Sequence, residues 1–297
     1  MTIKVLRLKF YDALNNLYCQ SEIDVFFYSL MEYYFHKPKV DVYLNQDQKL
    51  DQTSEIIMIN ALNELTNHKP LQYITSQTEF YGLKFNLSES VLIPRPETEE
   101  LVEWIIKDHI FIENEFKILD LGTGSGCISI SLARFLKKSR VYAVDLSDKA
   151  LVQAHENAKL NNVEVIFEEC DILDENLPDY FKNFEVFVSN PPYVRNLEKN
   201  EMKQNVMHYE PHMALFVSDN DPLEFYTAIL QIATNRLVSG GKLYFEINQY
   251  LGIEMMDLVM SFGFYDIELK NCRGGRTKFK IHSEQRPIEG VHLATHP

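Results

Sequence analysis

The chain is predicted to be an α/β protein, a doubly wound seven-stranded sheet closed by an antiparallel final hairpin and preceded by a small helical domain. Three observations carry that prediction. Short apolar, strand-like runs alternate with segments of helical period through the last two thirds of the sequence. A glycine-rich turn, Gly122-Thr123-Gly124-Ser125-Gly126, lies between the first of those runs and the helix after it. The first seventy residues, by contrast, read as helices alone.

Size and composition are compatible with this. A chain of 297 residues can hold one large and one small domain. With 45% hydrophobic and 24% charged residues it falls in the ordinary globular class. No run of eighteen apolar residues occurs, and the start, Met1 to Lys9, lacks a signal-peptide core, so a cytoplasmic protein with no membrane partner is expected. The cysteines Cys19, Cys127, Cys170 and Cys272 form neither a C-x-x-C pair nor a zinc-like spacing. Cys127 is read as a small packing residue. The net charge of −14 argues against a broad grip on DNA or RNA, because neutralising phosphates needs clustered Lys and Arg. It is compatible with a basic protein partner.

In the helical block, residues 1–70, Ser21 is the expected N-cap of a helix ended by Pro38. Its apolar stripe is Ile23, Phe26, Phe27, Leu30, Met31 and Tyr34. A second helix is expected from an N-cap at Thr53 to about Asn67, burying Ile56, Ile57, Ile59 and Leu62. Residues 71–97 read as a linker with a hairpin whose turn signals are Tyr81-Gly82-Leu83 and Glu89-Ser90-Val91. Pro94-Arg95-Pro96 precedes a helix from about Thr98 with Leu101, Val102, Trp104 and Ile105 inside. Glu97, Thr98 and Glu99 read as helix-start chemistry, supporting residues only.

The sheet follows over residues 98–283. Its first strand, Ile118 to Leu121, runs into the glycine turn and a helix opening at Gly126. The second, Arg140 to Asp145, ends in a carboxylate nineteen residues beyond Gly126, where an acid accepts hydrogen bonds from a ribose diol. A helix from Asp148 to about Leu160 leads to a third strand, Val163 to Phe167. Strand four, Phe184 to Ser189, ends in Asn190-Pro191-Pro192-Tyr193. His208 and His212 are read as loop residues. A helix over about Pro222 to Val238 and the turn Ser239-Gly240-Gly241 precede strand five, Lys242 to Ile247. The next helix ends near Gly263, and strands at Tyr265 to Leu269 and Lys278 to His282 complete seven. Residues 284–297 are polar and expected to fray.

The chemistry is read from two places. In the glycine turn the spacing is G-x-G-x-G, shorter than the G-x-G-x-x-G that seats a dinucleotide pyrophosphate. It is the usual mark of enzymes that use S-adenosyl-L-methionine, a ligand without phosphate. In Asn190-Pro191-Pro192-Tyr193 the two prolines remove backbone donors and hold the chain extended. An Asn oxygen, a proline-side carbonyl and an aromatic face then suit a flat group bearing an NH2.

These segments resemble the class I methyltransferases of the HemK/PrmC family, the protein-(glutamine-N5) methyltransferases of peptide chain release factors. Further support comes from Pro70-Leu71-Gln72-Tyr73-Ile74, Val91-Leu92-Ile93-Pro94-Arg95-Pro96-Glu97-Thr98-Glu99 and Tyr209-Glu210-Pro211-His212-Met213-Ala214-Leu215. The resemblance implies methyl transfer from S-adenosyl-L-methionine to the glutamine of a Gly-Gly-Gln motif in class 1 release factors. It makes Asn190, Pro191, Pro192 and Tyr193 catalytic. It assigns the cofactor to Gly122, Thr123, Gly124, Ser125, Gly126, Asp145, Asp171, Ile172 and Asn190. It gives the helical block a substrate-docking role and makes the release factor the partner, with no direct nucleic-acid binding. The alternative is a methyltransferase for another planar amine: a ribosomal-protein glutamine, an rRNA guanine or a DNA adenine. Two departures stand out: Ile172 occupies a position that is often Trp in the family, and Asn271 to Arg276 only partly match its usual Asp-containing segment.

Overall fold

The computed structural model describes residues 1–174, 177–271 and 277–282. The chain divides into two compact units. One comprises Met1–Thr78, Leu87–Glu89 and Met202–Glu210, and the other Glu79–Asn86, Ser90–Glu201 and the chain from Pro211 onward. The boundary expected at residue 70 is therefore drawn at Thr78, and a short later segment belongs to the first unit. The link within that unit is visible in the Tyr209 hydroxyl, which donates to the Asn67 carbonyl at 2.9 Å.

The first unit contains α1 (Ile3–Leu14), α2 (Gln20–Phe35), α3 (Lys39–Leu44), α4 (Gln52–Thr66), α5 (Leu71–Ile74) and the later α9 (Gln204–Tyr209). Its core gathers Leu6, Phe10, Phe27, Leu30, Met31 and Met58. Both expected N-caps are displaced by two residues. Cys19 precedes α2, with the Glu22 carboxylate accepting from its N–H, and Asp51 caps α4 by accepting from Ser54 N–H. The helix α2 closes at His36 in a left-handed conformation, ahead of Pro38. The stripe of α2 is as expected at Ile23, Phe27, Leu30 and Met31, but α4 buries Met58, Ala61, Leu62 and Leu65 and leaves Ile56 exposed. His208 lies in α9, and His212 opens a 3-10 turn in the second unit.

β1 (Gln77–Phe80), through which the division after Thr78 runs, and β2 (Leu83–Asn86) form a two-stranded ribbon, and the second unit continues with α6 (Pro96–His109), Pro96 in its first turn. The large sheet comprises β3 (Phe116–Leu121), β4 (Ser139–Asp145), β5 (Ile166–Glu169), β6 (Phe184–Ser189), β9 (Leu237–Ile247), β10 (Tyr265–Asn271) and β11 (Thr277–His282). Its order is β10-β11-β9-β6-β3-β4-β5. β3 pairs in parallel with β4 and β6, whereas β11 runs antiparallel to both β9 and β10. Helices α7 (Cys127–Phe135), α8 (Asp148–Leu160), α10 (Glu224–Arg236) and α11 (Gly252–Ser261) connect the strands, and a short pair β7 (Val194–Arg195) and β8 (Phe216–Val217) stands apart.

Apolar residues alternate between two cores along a strand. Leu119 and Leu121 belong to one cluster and Phe116 and Ile118 to the other, as a sheet covered on both faces requires. Two expected boundaries differ. β5 begins at Ile166, not Val163, because the Val163 N–H is still taken by the Ala158 carbonyl at the exit of α8. β9 begins at Leu237 and carries Gly240 at φ 78° inside it. Its partner in register with β6 jumps from Leu237 to Lys242 between Phe184 and Val186. The segment from Cys272 to Arg276 and the tail beyond His282 lie outside the described residues. Among the described residues no helix is long and apolar enough to cross a membrane.

Candidate active site

The sheet changes winding direction at β3: its sequence successor β4 lies on one side, and β6 on the other. Ligands of open α/β sheets bind at that switch, beyond the strand ends. Here the glycine turn follows β3 and the Asn-Pro-Pro-Tyr run follows β6. The Ser189 hydroxyl donates to the Leu121 carbonyl at 2.6 Å and ties the two strand ends together. Between them opens a cavity of about 370 Å³.

Gly122 and Gly124 line this cavity at φ 76° and 55°, a conformation that side chains resist. A Cβ on Gly124 would meet no atom within 4 Å, so its absence leaves the cavity floor as bare backbone. Gly126 is different and is not on the cavity wall. A Cβ there would come within 2.7 Å of Ile130 Cδ1 and 3.2 Å of Ala154 Cβ, so this glycine lets α7 pack on α8. The Thr123 hydroxyl is turned to the interior, donating to Asp120 Oδ2 at 2.7 Å and lying 2.8 Å from Ser129 Oγ. Asp120 Oδ2 also accepts from Ser129 N–H, while Oδ1 is buried with no partner. Burial lifts this carboxyl to about 6. Ser125 lines the cavity, and its carbonyl accepts from Asn157 Nδ2 at 2.9 Å.

Asp145 lines the cavity at the end of β4, and each of its oxygens accepts one backbone N–H: Gly124 at 2.8 Å and Ser147 at 2.9 Å. Burial raises its carboxyl, and those backbone bonds pull it back. Two oxygens offer about four acceptor positions, so a diol can still be taken. Asp171 lines the cavity too, with one oxygen capping Leu173 N–H at 2.9 Å. Ile172 is buried in the apolar core, with its Cδ1 at 3.9 Å from where a Cβ of Gly122 would stand. The Cys127 thiol, pushed up to about 12 by burial, is inert packing at the start of α7.

Asn190, Pro191 and Pro192 line the cavity. Asn190 Nδ2 donates to Thr98 Oγ1 at 3.4 Å. Among the described residues, neither Asn190 Oδ1 nor the Pro191 carbonyl accepts a hydrogen bond from the protein. Tyr193 is not on the wall. Its ring packs against the apolar core, its hydroxyl donates to Glu246 Oε1 at 2.8 Å, and its carbonyl accepts from Asn248 Nδ2 at 2.9 Å.

Three residues of this arrangement are absent from the sequence reading of the site. Thr98 stood there only as a helix-start hydroxyl, yet it is buried on the cavity and donates to Glu246 Oε2 at 2.7 Å. Glu246 is a fully buried carboxylate at the end of β9, and Asn248 follows it. The available signal was an acid inside an apolar strand, since a buried carboxylate must find donors. Among the described residues the wall carries the acids Asp145, Asp171 and Glu224 against the single cation Arg95. Such a lining favours a cationic or neutral ligand over a pyrophosphate.

Residues 98–213 match the family described as Methyltransferase small domain. A release factor glutamine methyltransferase of Flavobacterium psychrophilum is 50% identical over 91% of this chain and 95% of its own length. Another, from Bacteroides thetaiotaomicron, is 40% identical over 77% of this chain and 81% of its own. A crystal structure of a methyltransferase from Pyrococcus furiosus shares the fold, with a TM-score of 0.50 at 17% identity over 75% of this chain and 98% of that one.

Proposed function

The chain belongs to the release factor glutamine methyltransferases, and we propose that it moves a methyl group from S-adenosyl-L-methionine to the side-chain nitrogen of a glutamine. The glutamine is that of a Gly-Gly-Gln motif in a class 1 peptide chain release factor, the partner expected from the sequence. A single observation carries the reading: two oxygens on the cavity wall, Asn190 Oδ1 and the Pro191 carbonyl, are left without donors of the protein's own among the described residues. A primary amide has two N–H groups to satisfy such a pair.

The residues present suit the cofactor. The backbone floor at Gly122 and Gly124, the Asp145 acceptors and the acidic wall match a ligand with a ribose diol, a positive centre and no phosphate. When bound, S-adenosyl-L-methionine supplies an electrophilic methyl carbon on sulfur. Asp145 would hold the ribose hydroxyls, Ile172 the face of the adenine, and Asp171 the adenine amine through its uncapped oxygen.

The chain's own contribution to the chemistry is orientation. An amide nitrogen is a weak nucleophile because its lone pair is delocalised into the carbonyl. With both N–H groups accepted by Asn190 Oδ1 and the Pro191 carbonyl, electron density is returned to nitrogen. The nitrogen is also held facing the cavity. Orientation of this kind contributes several kcal/mol in well-aligned systems, roughly 7–11 at the upper end. As nitrogen acquires positive charge, the same two oxygens stabilise it. The nitrogen becomes acidic once alkylated, so its surplus proton leaves without a dedicated strong base. The extended geometry imposed by Pro191 and Pro192 keeps the acceptors in place. The Tyr193 ring, anchored at its hydroxyl by Glu246, braces the same run.

Titration distinguishes this reading from a nucleotide-binding regulator or dehydrogenase. The protein should bind S-adenosyl-L-methionine and release less heat, or none, with NAD. It should also label a release factor from methyl-tritiated cofactor, and lose the label when the motif glutamine is replaced by glutamate. Preference for NAD, or labelling that survives the replacement, would contradict it.

A further inference from the structure

An asparagine side chain can offer a cavity its oxygen or its NH2 group, and the two are nearly identical in shape. Only the oxygen can accept a glutamine N–H. We infer that Glu246, acting through Thr98, is the positioning residue that sets the polarity of the Asn190 amide; the inference rests on the methyl-transfer reading above.

Thr98 and Glu246 are both buried, at 2% and 0% exposure. As a carboxylate Glu246 can only accept, so the one proton on Thr98 Oγ1 is committed to Glu246 Oε2, 2.7 Å away. Thr98 Oγ1 is left with lone pairs alone and can only accept in turn. Its partner is Asn190 Nδ2, at 3.4 Å. That contact is long for N–H···O, so it selects an orientation more than it binds tightly. A flipped Asn190 would set its oxygen against the lone pairs of Thr98, two acceptors face to face, and turn its NH2 towards the cavity. There it could not receive the substrate's N–H.

The other oxygen of Glu246 accepts from the Tyr193 hydroxyl at 2.8 Å, three residues beyond Asn190. One carboxylate at the end of β9 therefore holds the catalytic run at both ends, directly at Tyr193 and through Thr98 at Asn190. Thr98 is 92 residues before Asn190 and 148 before Glu246 in sequence, so the device exists only in the folded unit. Neither residue needs to touch the transferred methyl group.

The test uses the full chain with cofactor and a release factor, and compares kcat, KM for the release factor, cofactor Kd and thermal midpoint. Thr98→Val keeps the shape and removes the hydroxyl. It should lower kcat about tenfold or more while cofactor Kd stays within about twofold. Thr98→Ser, which restores the hydroxyl, should recover most of that loss. Glu246→Gln can offer NH2 to Thr98 and free its proton to meet Asn190 Oδ1; it too should lower kcat with little change in cofactor Kd. The inference is overturned by wild-type kcat in Thr98→Val or Glu246→Gln, by a loss that follows cofactor Kd, or by a Ser variant as poor as Val. Asn190→Ala is measured alongside. If it loses transfer while the other two keep it, the polarity relay fails and methyl transfer stands. If Asn190→Ala itself turns over like wild type, the parent reading fails.

Discussion

Asp145 does two jobs with one carboxylate. It holds the glycine turn by accepting from Gly124 and Ser147, and it lines the cavity where a ribose would lie. Asp145→Ala removes both, leaving two backbone donors, and the ribose hydroxyls we propose it holds, without an acceptor. An unmet buried hydrogen bond costs about 1–3 kcal/mol, so cofactor Kd should rise roughly ten- to hundredfold. Isothermal titration of the folded variant checks this; unchanged affinity would remove Asp145 from the binding site. That Asp145 closes a strand and Asn190 follows one was legible in the sequence, because each stands at the end of an apolar, strand-like run. Thr98, Glu246 and Asn248 were not, since their meaning lies in one another and they come from distant parts of the chain. The inward turn of the Thr123 hydroxyl onto Asp120 was hidden for the same reason.

At the scale of elements, three similar glycines serve two purposes. Gly124 opens the cavity floor, and Gly126 lets two helices approach. Gly124→Ala should cost about 1–2 kcal/mol of stability for its positive φ and weaken cofactor binding, because its Cβ stands in open cavity. Gly126→Ala bears the same backbone cost plus about 1–3 kcal/mol of overpacking against Ile130 and Ala154. Its thermal midpoint should therefore fall further than that of Gly124→Ala. The opposite ranking in paired melts and titrations would contradict this division. The spacing of the glycines indicated the turn but could not distinguish these roles. The strands of the large sheet and the helices between them were plain from period, whereas α1, α3, α9 and the β7–β8 pair were not, and ends were set by local donors. Glu22 reaches back to Cys19 and so starts α2 earlier than Ser21 would, and Val163 is still held by the exit of α8.

The stability of the whole molecule carries the cost of one buried acid. Asp120 lies under the glycine turn with an unpartnered oxygen and a carboxyl raised from 3.8 to about 6. Its neutral form is favoured by folding. That contribution is complete below the unfolded value of 3.8 and is lost as pH rises through the folded value. The loss amounts to about 3 kcal/mol between those limits, from about 1.4 kcal/mol per pKa unit. Asp120→Asn cannot ionise, so the stability difference between wild type and variant should shift in the variant's favour by that order between about pH 4 and 6. Denaturant titrations across this range measure it, and a difference independent of pH would contradict the assignment. That helices alone precede the sheet was readable from the change of period. The return of Met202–Glu210 to the helical unit was not, because a six-residue helix carries no signal of which core it joins.

The central claim is that Asn190 Oδ1 and the Pro191 carbonyl grip a glutamine amide for methylation. The most direct test is mass spectrometry of the Gly-Gly-Gln peptide from a release factor incubated with S-adenosyl-L-methionine and either wild type or Asn190→Ala. The account predicts one added methyl on the glutamine with wild type. With the variant it predicts almost none, although cofactor affinity is nearly retained. An unmodified glutamine with wild type, or full methylation by Asn190→Ala, would contradict it.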